Sequence, residues 1–174
     1  DMLRIGILGP GKIAHMMART VAGMKEATIC AVGSRTYERA RAFAGQYGIQ
    51  KVYGSYEGLV SDGELDLIYI ATPHSEHYNH IKLCFQYEKN VLCEKAFTLN
   101  SAQAGEVFRM AEEKGRLLAE AIWTRYMPSR ALIDNVLKSG AIGTPVSLTA
   151  NLGYVLNQVD RVMDPCLGGG ALLD

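Results

Sequence analysis

Neither sign of charge dominates this sequence. Eighteen Lys and Arg balance eighteen Asp and Glu, so the formal net charge is zero. A general electrostatic hold on nucleic acid or on an anionic membrane is therefore not expected. Long hydrophobic runs are also missing. No apolar stretch reaches the roughly 18 residues that a membrane span requires. The N-terminus lacks the charged-then-apolar layout of a secretory signal. Asp1 ahead of Met2 reads as a vector remnant, with Met2 the native start. Cysteine is sparse: Cys30, Cys84, Cys93 and Cys166 form no C-x-x-C pair, and Cys30 and Cys93 sit in apolar runs where a free thiol behaves as a small hydrophobe. Reduced thiols and a cytoplasmic location follow. There is no internal repeat and no low-complexity segment. What remains is 174 residues of ordinary globular composition, 48% hydrophobic and 21% charged, enough for one large domain or one domain and part of another.

The first 120 or so residues alternate strand and helix patterns. Strands are expected at 3–8, 27–32, 51–53, 67–71, 90–93 and 117–119. Between them, Ile13, Met16, Met17, Val21 and Met24 share one helical face, and Ala40, Phe43, Ala44 and Tyr47 form the buried face of the next helix. A short helix is expected from Tyr56 to Ser61. Tyr78, Ile81 and Phe85 line another, and Ala104, Val107, Phe108 and Ala111 the buried side of a last one. Thr36 and Asn100 are candidate N-caps, with Gly48 and Gly115 as C-terminal stops. Six short β runs, several apolar at consecutive positions and separated by helices, describe an α/β fold: a doubly wound parallel sheet of the Rossmann type. The pattern changes near Ala121. Pro128 opens a helix carrying Leu132, Ile133, Val136 and Leu137, and residues 146–152 read as a strand. One helix and one strand cannot bury a core of their own. Residues 1–121 are thus assigned to a dinucleotide-binding domain, and 122–174 to the start of a truncated α+β second domain.

Gly9-Pro10-Gly11-Lys12-Ile13-Ala14 is a G-x-G-x-x-A that follows a strand and opens a helix, the context in which this motif binds a dinucleotide. Gly9 allows a tight turn, Gly11 a close approach of backbone to a pyrophosphate, and Ala14 close helix–strand packing. The first-turn amides, at Lys12 and Ile13, are then available to phosphate. The second strand ends in Ser34-Arg35-Thr36, without the Asp or Glu that binds the adenosine ribose in NAD enzymes. Ser34 can bond a 2′-phosphate, Arg35 can cover it, and Arg39 lies one turn on, so NADP is preferred over NAD. Thr72 and Pro73 end the fourth strand and flank the cofactor, with His77 in the helix turn beside it. His74, His77 and His80 lack the acidic or thiol neighbours that complete a zinc set, so no metal is expected. Glu94-Lys95 ends the fifth strand, where a lysine can donate to a hydroxyl or carbonyl oxygen and stabilise negative charge.

These motifs occur in order with Glu120-Ala121-Ile122-Trp123-Thr124-Arg125-Tyr126, Pro128 and Gly168-Gly169-Gly170-Ala171-Leu172-Leu173-Asp174. The set resembles the Gfo/Idh/MocA oxidoreductase family over essentially the whole chain. The Trp-Thr-Arg and Gly-Gly-Gly segments are most similar to its branch of trans-1,2-dihydrodiol dehydrogenases and NADP-dependent D-xylose dehydrogenases. The resemblance implies hydride transfer between NADP and a hydroxyl-bearing carbon of a sugar or dihydrodiol. It implies that Lys95 is catalytic, that Asp174 belongs to a D-x-x-x-His/Tyr motif, that Trp123 and Arg125 line the cofactor cleft, and that Tyr154 stands at an aromatic position of the substrate pocket. It also implies a homodimer formed through a C-terminal sheet. Two departures stand out. Ala96 replaces the family's proline after Lys95, so either the bond is trans and Lys95 is re-aimed, or the fold sustains a cis bond. The chain also stops at Asp174, four residues short of the expected His or Tyr, which reads as a fragment without turnover of its own. The alternative of a non-catalytic NADP-binding sensor or scaffold follows from those departures.

Overall fold

A computed structural model describes residues 2–151, 153–156 and 158–170. Strands β1 (Leu3–Leu8), β2 (Ala27–Gly33), β3 (Lys51–Tyr53), β4 (Leu67–Ile70), β5 (Asn90–Cys93) and β6 (Leu118–Glu120) form one sheet in the order β3-β2-β1-β4-β5-β6, every neighbouring pair parallel. This is the doubly wound order, whose reversal point lies between β1 and β4. Helices α1 (Lys12–Val21), α2 (Tyr37–Tyr47), α3 (Tyr56–Val60), α4 (His77–Gln86) and α5 (Ser101–Lys114) make the crossovers.

The two faces of the sheet build two cores. Side chains alternate along each strand, so in β4 Ile68 and Ile70 join Leu59, Ile81, Phe85 and Val107 on one face, while Leu67 and Tyr69 join Ile7, Ala14, Ala18 and Phe43 on the other. All four β4 residues are buried, which explains the unbroken apolar run. Asn100 accepts from the Gln103 amide, and Gly48 and Gly115 end α2 and α5 in the left-handed conformation, as their positions predict. Thr36 holds the capping position of α2, but its side chain makes no capping bond.

Three expectations are corrected. The face of α1 that meets the sheet is Ala14, Ala18 and Val21, while Ile13 and Met16 are 37% and 59% exposed. Close helix–sheet approach behind a glycine turn selects the small residues and turns the larger ones outward. Phe108 is not in the core: it lies near the surface with its ring stacked on Phe97, centroids 5.1 Å apart. No strand forms over 146–151, and Val146 and Leu148 are 94% and 92% exposed. A strand requires a hydrogen-bonding partner, and no described neighbour supplies one. The helix opened by Pro128 does form, as α6 (Pro128–Lys138), with Leu132, Ile133, Val136 and Leu137 all exposed. A last short helix, α7 (Asp160–Met163), leads to a 3-10 turn at Pro165–Leu167 that returns to the sheet's carboxyl edge, where the buried His74 Nδ1 is 3.5 Å from the Gly168 carbonyl oxygen.

Candidate functional site

A cleft of about 800 Å³ opens at the carboxyl ends of β1, β2, β4 and β5. Its floor is the turn after β1. Gly9 has φ +96°, and a Cβ there would stand 2.8 Å from Thr72 Cγ2 and 3.3 Å from the Ala71 carbonyl oxygen. Gly11 caps α1 in extended conformation, its hypothetical Cβ 3.4 Å from the same oxygen. The missing side chains bring backbone and first-turn amides of Lys12 and Ile13 to the cleft wall, where unpaired N–H groups and the helix dipole favour an anion.

The wall above β2 carries Ser34, Arg35 and Arg39. Ser34 is buried and its Oγ accepts from the Thr36 amide at 3.2 Å, which fixes the loop and leaves the hydroxyl proton to donate. Tyr56 and Thr72 line the same cleft. Burial pushes the Tyr56 phenol up, opposed by Arg35 and Arg39. His80 packs edge-on to Tyr56, and its Nδ1 lies 3.0 Å from the Thr72 hydroxyl. Burial pushes the His80 imidazole below its ordinary value. Among the described residues, Lys12, Arg35, Arg39 and Lys95 line the cleft against one carboxylate, Glu94, so the cavity suits a polyanionic ligand.

Glu94 and Lys95 follow β5, and the Lys95–Ala96 bond is cis. His77 does not face the cleft. It is fully buried, with ring nitrogens 2.8 Å from the Thr72 carbonyl oxygen and 2.7 Å from that of Ala96. It ties the segments after β4 and β5 together from behind. Glu120 likewise accepts from the Phe97 amide at 3.1 Å and braces the loop after Lys95. An adjoining groove of about 270 Å³ is lined by Ile13, Met16, Tyr69, Glu94, Trp123 and Tyr126, among others.

Of the residues expected at the site, the fold gathers Gly9, Gly11, Lys12, Ile13, Ser34, Arg35, Arg39, Thr72, Pro73, Glu94 and Lys95 around the cleft. Trp123 reaches the adjoining groove. Arg125, exposed on the 3-10 turn Trp123–Tyr126, and the exposed Tyr154 line neither cavity. Asp174 lies outside the described residues. Tyr56, Tyr69 and His80 were not legible as site residues. Each belongs to a periodic apolar or helical pattern, and only the packing reveals where its polar atom goes.

A sequence profile of the GFO_IDH_MocA family, described as an oxidoreductase family with an NAD-binding Rossmann fold, matches residues 3–122. The trans-1,2-dihydrobenzene-1,2-diol dehydrogenase of Mus musculus is 37% identical over 99% of this chain and 52% of its own length. That of Homo sapiens is 37% identical with the same coverage. The chain thus spans about half the length of the curated relatives it matches. Among solved structures, a variant of KijD10, a 3-ketoreductase from Actinomadura kijaniata in complex with TDP-benzene and NADP, superposes with a TM-score of 0.86 at 28% identity, covering 100% of this chain and 54% of that one.

Proposed function

Because this chain belongs to the Gfo/Idh/MocA oxidoreductase family, we propose that its cleft binds NADP and serves a dehydrogenase acting on a hydroxyl-bearing carbon of a dihydrodiol or sugar. The observation that carries the reading is the glycine cradle of Gly9 and Gly11 facing a β2 end with Ser34 and Arg35 and no acid. A Cβ at Gly9 would collide with Thr72, and the added bulk at Gly11 would occupy the approach of a pyrophosphate. Arg35 and Arg39 supply charge for a 2′-phosphate, and Ser34 a hydroxyl donor. The diol assignment draws on the dihydrodiol dehydrogenases at 37% identity, and the cofactor on the NADP complex of KijD10.

The nicotinamide, when bound, supplies hydride chemistry. The rest falls to this chain. The first turn of α1 holds the phosphates. Lys95, at the cleft wall beside Glu94, donates a hydrogen bond to the reacting oxygen and stabilises the charge that develops there. Trp123 and Tyr126 provide an apolar wall next to that point. Asp174 supports the proton-transfer group. No helix among the described residues is long and apolar enough to cross a membrane. We take the protein to act in the cytoplasm as a homodimer.

The test is fluorescence titration of the full-length polypeptide with NADPH and NADH, followed by a screen of dihydrodiols and sugars with NADP as acceptor. NADPH is expected to bind at least tenfold more tightly, the worth of one charge-assisted interaction of roughly 1.5–3 kcal/mol. Arg35→Asp is expected to remove that preference and leave NADH binding unchanged or improved. Equal affinities in the unsubstituted protein sink the NADP assignment.

A further inference from the structure

We infer that Tyr69 is a positioning residue: its hydroxyl holds the Glu94 carboxylate at the nicotinamide end of the cleft, where Glu94 accepts a hydrogen bond from a ligand hydroxyl. The inference rests on the dinucleotide reading above and adds a residue to it.

Tyr69 lies in the middle of the sheet, on a strand whose other members are Leu67, Ile68 and Ile70. It is 2% exposed, on the face packed against α1. An aliphatic side chain or Phe would serve that core equally well, and a buried hydroxyl requires a partner. The partner is Glu94, whose Oε1 accepts from the Tyr69 hydroxyl at 2.5 Å, within the range of a bond to an ionised carboxylate. The sheet register explains the reach. Tyr69 pairs with Leu92, and Glu94 is two residues further along the chain, just past the end of β5. The phenol ring therefore runs along the strands and delivers its hydroxyl to the carboxyl edge. Burial, then Glu94, pushes the phenol pKa well up, so the hydroxyl stays a donor.

Glu94 borders both the main cleft and the groove lined by Trp123. Its second oxygen, Oε2, is 3.3 Å from the Lys95 amide nitrogen. Among the described residues, the ionisable groups that share a cavity or an adjoining strand end with it include Tyr69 from β4, Lys95 in its own loop, Glu120 at the end of β6, Tyr126 in the groove, and Lys12 and His74 in the cleft. Glu120 is engaged by the Phe97 amide. Among the described residues, Glu94 is thus the one carboxylate lining the cleft. An acceptor with no donating capacity there recognises hydroxyl groups, and without Tyr69 it would be free to swing toward the surrounding cations.

The experiment is titration of the full-length polypeptide with two probes, NADPH and 2′,5′-ADP, which lacks the nicotinamide half. Tyr69→Phe is expected to weaken NADPH binding about tenfold or more, and 2′,5′-ADP binding by less than twofold. Glu94→Ala is expected to do the same, and Tyr69→Phe added to it to cost less than twofold further, because the hydroxyl acts through that carboxylate. The inference is overturned if Tyr69→Phe leaves NADPH affinity unchanged, or weakens both probes alike as a merely structural role would. It is equally overturned if the two substitutions add in full. Should Tyr69→Phe not fold, Glu94→Ala alone decides: unchanged NADPH affinity refutes the role. An unsubstituted protein that binds neither probe sinks the dinucleotide reading itself, a result distinct from a Tyr69 that does nothing in a protein that binds both.

Discussion

Gly9 and Gly11 are two residues apart in one loop, yet substitution by alanine is expected to act on different properties. Gly9 has φ +96°, and the Cβ of an alanine would stand 2.8 Å from Thr72 Cγ2. Thr72 cannot simply rotate away, because its hydroxyl lies 3.0 Å from His80 Nδ1 and turning the side chain gives up that bond. A non-glycine residue at positive φ costs about 1–2 kcal/mol, and overpacking at a closed contact about 1–3 kcal/mol. Gly9→Ala is therefore expected to lose roughly 2–5 kcal/mol of stability, a large part of the total of a domain this size. Gly11 has φ −86° and its Cβ would rest 3.4 Å from the Ala71 oxygen, an ordinary contact. Gly11→Ala is expected to be neutral or to gain about 0.4–1 kcal/mol by restricting the unfolded chain, while losing dinucleotide affinity at least tenfold. Urea denaturation and NADPH titration of both variants separate the two effects. A Gly9→Ala protein as stable as the original refutes the steric argument. A Gly11→Ala protein with undiminished NADPH affinity refutes the cradle.

Lys95→Ala in the full-length polypeptide is expected to reduce turnover about 10²–10⁴-fold, the usual worth of a positioned acid or base, with NADPH affinity changed much less. Survival of activity within a few fold makes Lys95 a strand-end charge only. Away from the cleft, burial alone pushes Asp62 up, but Lys51 at 2.8 Å, the Glu64 amide and Tyr53 outweigh it and hold the carboxyl below its ordinary value. A lowered folded-state value means that the unfolded chain binds the proton first. The contribution is complete above the ordinary carboxylate range and is lost as pH falls below about 4. Asp62→Asn is expected to lower the urea midpoint at pH 7 by about 1–2 kcal/mol equivalent, and the deficit to shrink in acid. A deficit independent of pH refutes the linkage. His80 gives the same sign in a higher window. Its lowered value makes the unfolded chain the better proton acceptor, so stability falls as pH drops below about 6.5. His80→Gln is expected to flatten the melting-temperature profile between about pH 7 and 5, and an unaltered profile contradicts it.

The order of six strands, the connecting helices and the glycine turn were legible because each is a local signal. Apolar runs of four to six residues can lie only in a sheet covered on both faces. Asn100, Gly48 and Gly115 mark helix ends through their own backbone and side-chain chemistry. Gly9, Gly11, Ser34 and Lys95 could be placed at one cleft because strands that are all parallel bring every strand-to-helix turn to the same edge. Periodicity says which residues share a face but not what that face meets. Ile13 and Met16 continue the apolar stripe of α1, yet face the cavities because Ala14 and Ala18 take the close approach to the sheet. His77 occupies a cleft-edge position in the chain, yet its ring turns back to the carbonyls of Thr72 and Ala96. Residues 146–151 carry a strand's alternation but find no partner strand among the described residues, and stay irregular. Tyr69 reads as one more apolar member of β4. That its hydroxyl meets Glu94 depends on the register between two strands 25 residues apart in sequence, and a register between strands is a property of the packed sheet that neither strand carries alone.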